Sequence, residues 1–323
     1  MDISAQNLRD RLRGALIAAA ATPMTESGEV DLDVVSRYFA GLVADGATGL
    51  AVLAHTGRGP FLAPGTRAAV IERAVALGVP VLVGVGGGPS APDPAKGVGV
   101  GSVASGAAEP VGGGLVASDP AEQARVAAGL GADGVLVFPS EGDRVALHEE
   151  VWRAARLPMI AFDLYTRPCP AETMRELLEH PGVAGLKTAL LSDAMGCQRA
   201  IELTRRAGRL AITGEDRMFG PSLLWGAEAA LVGIAAASVG VTAAVLEVFR
   251  GSGLRAFEEA SGRLDRLAQA TFTDPMEGYV QRMLWLAAAE GRIPESHACD
   301  PYGPPLPEGA GRGGRYFPVR PAK

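Results

Sequence analysis

The chain predicts a (β/α)8 barrel with a C-terminal α-helical extension. Three observations carry that expectation. Eight short apolar runs alternate with eight helix-like stretches between residues 16 and 249. Strict alternation of this kind implies parallel strands joined by crossover helices. The repeating part is close to the ~250 residues typical of a closed barrel, and helices continue after the eighth strand.

The elements follow in order. Residues 16–21 are an apolar run stopped by Thr22-Pro23, a first strand. In 31–44, Leu32, Val35, Tyr38, Phe39 and Leu42 recur at helical spacing behind an acidic start. A second strand is expected at 49–54 and a helix at 65–77. The third strand, 79–85, is entered through Pro80. Asp119 is placed as the N-cap of a helix over 119–130. Strand 134–138 precedes helix 146–155, strand 158–165 precedes helix 171–179, and strand 183–189 precedes helix 192–207. Strand 210–213, a short helix at 219–225 and strand 229–234 close the series. Further helices are expected at 243–249, 254–270 and 275–289, packed on the barrel.

The chain therefore divides into a barrel over 1–238, a helical extension over 239–299 and an extended tail over 300–323. The tail is dense in Pro, Gly and Arg, and reads as lying on the surface or on a neighbouring subunit. One segment breaks the barrel pattern. Residues 86–114 run from Gly86-Gly87-Gly88 to Gly112-Gly113-Gly114 and are rich in Gly, Ala, Ser and Pro. Such a composition buries little apolar surface, so a mobile loop on the C-terminal face of the barrel is expected. Its Gly-x-Gly repeats do not read as a phosphate cradle, because no Gly-Lys-Ser follows them.

Composition narrows the function. The 323 residues are 48% hydrophobic, enough for a large core. Net charge is −6 and no basic block stands out, so there is no electrostatic footprint for nucleic acid. Cys169, Cys197 and Cys299 are odd in number and widely spaced, which argues against a disulfide framework. Residues 1–13 carry charges of both signs and do not read as a signal peptide. No uninterrupted apolar run is long enough to span a membrane, and a cytoplasmic setting is expected. No His/Asp/Glu cluster has metal-ligand spacing, so neither a metal nor a cofactor is expected. His148 reads as a solvated helix residue, His180 as a helix end and His297 as part of the tail. Glu215-Asp216 reads as a cap for the helix after strand seven.

Lys187 is the most informative residue. It lies in Val183-Ala184-Gly185-Leu186-Lys187-Thr188-Ala189, an apolar run with one ammonium in it. A buried lysine is costly unless paired or neutral. Desolvation lowers its pKa, and a neutral amine can attack a carbonyl to form a Schiff base. The preceding strand ends at Tyr165, so an amine and a phenol stand at neighbouring strand ends. In a barrel of this kind the chemistry sits at those C-terminal ends. The other ends carry Thr22, His55-Thr56-Gly57 and Gly214-Glu215-Asp216. A Thr-Gly turn can aim backbone N–H groups at a carboxylate.

These residues carry a resemblance to a family. Ala20-Ala21-Thr22-Pro23-Met24, Gly49 to Gly57, Tyr165-Thr166-Arg167-Pro168, Gly185-Leu186-Lys187 and Gly214-Glu215-Asp216 are similar to the dihydrodipicolinate synthase / N-acetylneuraminate lyase superfamily. The Tyr-x-x-Pro followed by Gly-Leu-Lys is the specific part, and the match covers most of 14–290. The resemblance implies a Schiff-base-forming lyase or aldolase acting on a pyruvate-type 2-oxo acid. Lys187 forms the imine, Tyr165 shuttles protons and Thr56 relays to Tyr165. Backbone groups of Thr56 and Gly57 hold the carboxylate, with His55 beside them. Gly214 and Leu231 place backbone carbonyls near the imine. It also implies a homotetramer.

Departures from the family pattern bear on the substrate. The second-strand turn usually runs Thr-Gly-Glu, and here Arg58 replaces the glutamate. Arg58 is either a surface or interface residue or a receptor for an anionic group on the second substrate. The synthase-type arginine after Tyr-x-x-Pro is missing from Cys169-Pro170-Ala171-Glu172. The loop Pro139-Ser140-Glu141-Gly142-Asp143-Arg144 lacks the tyrosine that synthases lend to a neighbouring subunit. These absences argue against 4-hydroxy-tetrahydrodipicolinate synthase. The same residues also suit a 2-oxo-3-deoxy sugar acid dehydratase or a catalytically silent keto-acid-binding sensor. An acidic or hydroxylated 2-oxo acid is the expected substrate.

Overall fold

The computed structural model describes residues 1–87, 119–251 and 253–307. The expected insertion from residue 88 and the tail from residue 308 lie outside these residues. Eight strands form a closed parallel barrel in chain order. They are β1 (Leu16–Ala19), β2 (Gly49–Val52), β3 (Val81–Val85), β4 (Gly134–Val137), β5 (Met159–Leu164), β6 (Val183–Ala189), β7 (Leu210–Thr213) and β8 (Ala229–Val232). Closure comes from β1 pairing with β8, with Ile17 opposite Leu231. Every strand position is buried, because helices cover the outside and side chains fill the inside. That is why the strands read as continuous apolar runs rather than alternating ones.

The barrel separates two hydrophobic cores. Ile17, Leu82, Leu136, Ile160, Ile212 and Leu231 fill the interior. Leu50, Val83, Val135, Met159 and Val232 face outward under the helices. The covering helices are α2 (Leu32–Ala44), α3 (Pro64–Val75), α4 (Pro120–Gly129), α5 (Arg144–Ala155), α6 (Ala171–Glu179), α7 (Ala194–Arg206) and α8 (Phe219–Leu224). Asp119 caps α4 as expected, accepting a hydrogen bond from the Ala121 N–H.

The N-terminal segment differs from expectation, because it forms a helix, α1 (Ile3–Leu12), capped by Asp2. Ala5, Leu8 and Leu12 are buried in the interior core. They recur at helical spacing, but charged neighbours hide the stripe in the sequence. The helix packs at the N-terminal end of the strands: a side chain on Gly134, the first residue of β4, would collide with Leu8.

The extension consists of α9 (Val239–Arg250), α10 (Leu254–Thr271) and α11 (Tyr279–Ala289). Two details depart from the sequence reading. The eighth strand stops at Val232 and continues as a 3-10 turn over Gly233–Ala236. The last helix is preceded by a separate 3-10 turn, Met276–Gly278, behind Pro275. Gly233 is required where these meet: a Cβ there would lie 2.8 Å from the Tyr279 ring. That contact brings the extension onto the C-terminal end of the barrel.

Candidate active site

A cavity opens at the C-terminal ends of the strands. The barrel lines it with Ala54, His55, Thr56, Phe162, Tyr165, Lys187, Gly214 and Asp216. The extension adds Phe272, Met276, Glu277 and Tyr279. A wider surface cleft lined by Glu26, Trp285 and Cys299 holds no lysine or tyrosine.

Lys187 is on β6, opposite Phe162 of β5 in the strand register. Its side chain is buried, with Nζ 4.3 Å from the centre of the Phe162 ring. A side chain at Gly214 would overlap Lys187 Cε, so only glycine fits beside the amine. Burial lowers the Lys187 pKa to about 8, with Asp216 and Glu215 pulling weakly the other way. Burial thus favours the neutral amine relative to an exposed lysine.

Glu215 and Asp216 do not cap the helix after β7; Met218 precedes α8 and makes no side-chain cap. Glu215 accepts from the Leu190 and Leu191 N–H groups in the loop after β6. Asp216 accepts from the Ile234 N–H, 2.7 Å away, in the turn after β8. Burial raises both carboxyl pKa values to about 7, against the backbone hydrogen bonds that lower them. The pair therefore ties three strand ends together around the lysine.

Tyr165 follows β5, and its N–H donates to Ala189 O at 2.8 Å, which fixes it beside the end of β6. Its phenol donates to Glu277 Oε1. Burial and the Glu277 charge raise its pKa, so it stays protonated. Thr56 is also buried, but its hydroxyl lies 2.9 Å from the Tyr279 hydroxyl. The expected Thr56–Tyr165 relay is thus replaced by two separate contacts, both made to residues of the extension. His55 Nε2 pairs with Glu277 Oε2, and its ring stacks on Tyr279 at 6.1 Å between centroids.

The remaining expected site residues lie outside the cavity wall. Gly57 sits in a turn so tight that a Cβ would be 2.8 Å from Leu53 N. Its carbonyl accepts from the Thr22 hydroxyl at 2.7 Å. Leu231 packs inside the barrel, and Gly233 lines the cavity instead.

Arg58 requires a correction. It is buried behind the cavity wall, binding Asp300 through Nε at 3.0 Å and Nη2 at 2.7 Å. The Asp300 carboxylate has no solvent exposure. A buried guanidinium needs a buried anion, and the chain supplies its own from the segment after α11. Arg58 is therefore not an open receptor for a substrate anion.

His148 is also corrected. It is 2% exposed, with Nδ1 2.7 Å from Arg144 O, and burial lowers its pKa to about 4. Its place on α5 faces the core rather than solvent. Sequence reasoning missed Asp216 as a wall of the cavity, and missed Glu277 and Tyr279 entirely. Pro275 ahead of Met276-Glu277-Gly278-Tyr279 is the one local signal of a break before α11. Nothing local says that the break returns to the barrel mouth.

Among the described residues, no group of three His, Cys, Asp or Glu side chains could hold a metal ion. No described helix is long and apolar enough to cross a membrane.

No protein-family model matches the chain. It is 26% identical to 4-hydroxy-tetrahydrodipicolinate synthase 2 of Halalkalibacterium halodurans over 275 residues, which cover 81% of this chain and 84% of that protein. The chain resembles the 4-hydroxy-tetrahydrodipicolinate synthases in sequence and shares the barrel fold of solved dihydrodipicolinate synthase and N-acetylneuraminate lyase structures.

Solved structures share its fold. YagE, an E. coli K12 prophage protein of the dihydrodipicolinic acid synthase family solved with pyruvate, superposes with a TM-score of 0.73 at 20% identity, over 91% of this chain and 93% of that one. N-acetylneuraminate lyase of Mycoplasma synoviae gives 0.69 at 17% identity, over 87% and 89%.

Proposed function

We propose that the chain makes or breaks a carbon–carbon bond next to the ketone of a pyruvate-type 2-oxo acid, through an imine on Lys187. One observation carries the reading: a buried lysine with a depressed pKa lines the same strand-end cavity as a protonated tyrosine. The neutral amine attacks the ketone carbon, and the resulting carbinolamine loses its hydroxyl as water. The protonated imine then accepts the electron pair of the breaking bond, or stabilises the carbanion equivalent that attacks an aldehyde. Tyr165 handles the protons of these steps. The turn His55-Thr56-Gly57 at the end of β2 is the proposed seat of the substrate carboxylate.

Charge at the cavity argues for the second group of the substrate. Arg58 is neutralised by Asp300, and Glu277 stands on the wall as a carboxylate. Burial alone would raise the Glu277 pKa, but His55, Tyr165 and Arg58 together hold it down to about 2. A second anionic group is disfavoured there, so a hydroxylated, otherwise uncharged partner is preferred to an acidic one. We take the enzyme to work as a cytoplasmic homotetramer; light scattering checks the assembly, and a monomer at micromolar concentration overturns it.

Borohydride reduction in the presence of pyruvate tests the imine. Mass spectrometry is expected to find one reduced adduct, at Lys187. An unmodified Lys187 in folded protein, with a panel of 2-oxo acids also inert, overturns the reading.

A further inference from the structure

Glu277 joins two groups of the site. It is carried by the turn Met276–Gly278, ahead of α11, and lines the cavity. Its Oε1 accepts the Tyr165 phenol proton, and its Oε2 pairs with His55 Nε2. Arg58 holds the same residue twice, with Nη1 3.8 Å from Oε2 and Nη2 donating to its backbone carbonyl at 3.3 Å. Arg58 is itself fixed by Asp300. The carboxylate is thus clamped beside the phenol, and both it and His55 keep part of their side chains exposed, 35% and 28%.

That arrangement decides which way the phenol works. A phenol that donates its proton to a carboxylate presents its oxygen lone pairs to the cavity, and its oxygen becomes a better proton acceptor. We infer that Glu277 is a positioning residue for Tyr165, which orients the phenol and takes its proton whenever the phenol takes one from the substrate. The inference rests on the imine reading above.

The step balances. As the carbinolamine nitrogen forms, its N–H bond breaks to Tyr165 Oη while the phenol O–H bond breaks to Glu277 Oε1. The phenol remains neutral, and the carboxylate holds the proton only in transit, because His55, Tyr165 and Arg58 favour its ionised form. Glu277 then returns its proton to Tyr165, and Tyr165 gives one to the alkoxide oxygen left by the attack, which makes the carbinolamine hydroxyl; that hydroxyl takes one further proton from solvent and leaves as water, and the protonated imine remains. No phenolate forms. This matters because burial and the Glu277 charge both oppose ionisation of Tyr165.

The test is the rate of imine formation with pyruvate, read by borohydride trapping at timed intervals across a pH series, in wild type, Glu277→Gln, Glu277→Asp and Tyr165→Phe. Glu277→Gln is expected to slow trapping by roughly 10²–10³-fold, the range for a positioned acid–base group, with adduct still confined to Lys187. Its rate should keep rising beyond about pH 9, since the phenolate must then act as the acceptor. The wild-type rate should instead level off once Lys187 is neutral. Glu277→Asp should recover part of the rate. Adding Tyr165→Phe to Glu277→Gln should cost little more, because the two act as one unit.

Melting curves identify a variant that has lost its fold, and Glu277→Asp then decides the outcome through its pH profile alone. A Glu277→Gln rate equal to wild type at all pH values overturns the inference. So does a double variant whose losses multiply. A wild-type protein that traps no adduct overturns the imine reading and this inference together.

Discussion

The two halves of the cavity are built differently. Lys187, Tyr165 and Gly214 stand on or next to barrel strands, where backbone hydrogen bonds and register set their positions. Glu277 and Tyr279 stand on the extension, where packing and ion pairs set theirs. Tyr279 lies against Gly233 and stacks on Phe272 at 4.7 Å. Arg58 and Asp300 join the end of β2 to the segment after α11. Register is shared with the whole sheet, so the first half is rigid. The second half depends on a few side chains, so substitutions can loosen it while the barrel stays closed.

The largest effect expected from this contrast is at Lys187. Lys187→Ala should abolish measurable turnover and borohydride adduct while leaving the far-UV spectrum intact. Turnover above a hundredth of wild type in that variant breaks the assignment of the barrel half. Tyr165→Phe keeps its place beside β6 and should lower kcat by about two to four powers of ten. A wild-type kcat would remove the phenol from the proton steps.

Gly214→Ala sharpens the point without touching a reacting group. The new methyl would have to displace Lys187 Cε. Misplacement of a nucleophile by about 1 Å costs roughly 100-fold, so kcat should fall by that order with the melting temperature little changed. An unaltered kcat would show that the lysine has room the structure denies it.

The extension half is probed through its ion pair. Arg58→Ala leaves the buried Asp300 carboxylate unpaired, which costs about 3–5 kcal/mol. Chemical denaturation should show that loss, and Arg58→Ala with Asp300→Ala together should recover part of it. Affinity for the 2-oxo acid should change far less than stability. A large loss of affinity at unchanged stability would return Arg58 to the role of a substrate receptor.

The smallest effect is that of pH. Burial depresses the Lys187 pKa to about 8, and the proposed imine chemistry uses the neutral amine. The sign follows: kcat/KM should rise as pH increases through about 8 and then level. A profile that falls across that range would mean that the ammonium is the working form.

The sequence alone determined the barrel and which polar residues stand at its strand ends. Parallel strands covered on both faces must be apolar throughout, so each of the eight was legible as a run with turn residues at its limits. A lysine inside such a run is conspicuous, because the interior makes it costly. Tyr165 was legible because it ends the run before it. The helix α1 was hidden, since three buried residues among charged neighbours give a weak stripe.

Only the tertiary structure decided what faces these groups. Glu277 and Tyr279 are more than a hundred and ten residues from Tyr165 and more than two hundred and twenty from Thr56, respectively. No local pattern records that a turn after Pro275 folds back over the barrel. Arg58 shows the same limit from the other side. Its charge and its place after the second strand were plain, but its partner Asp300 is 242 residues away. Whether a buried charge meets a substrate or a carboxylate of its own chain depends on which desolvated group lies within hydrogen-bond reach, and packing alone sets that.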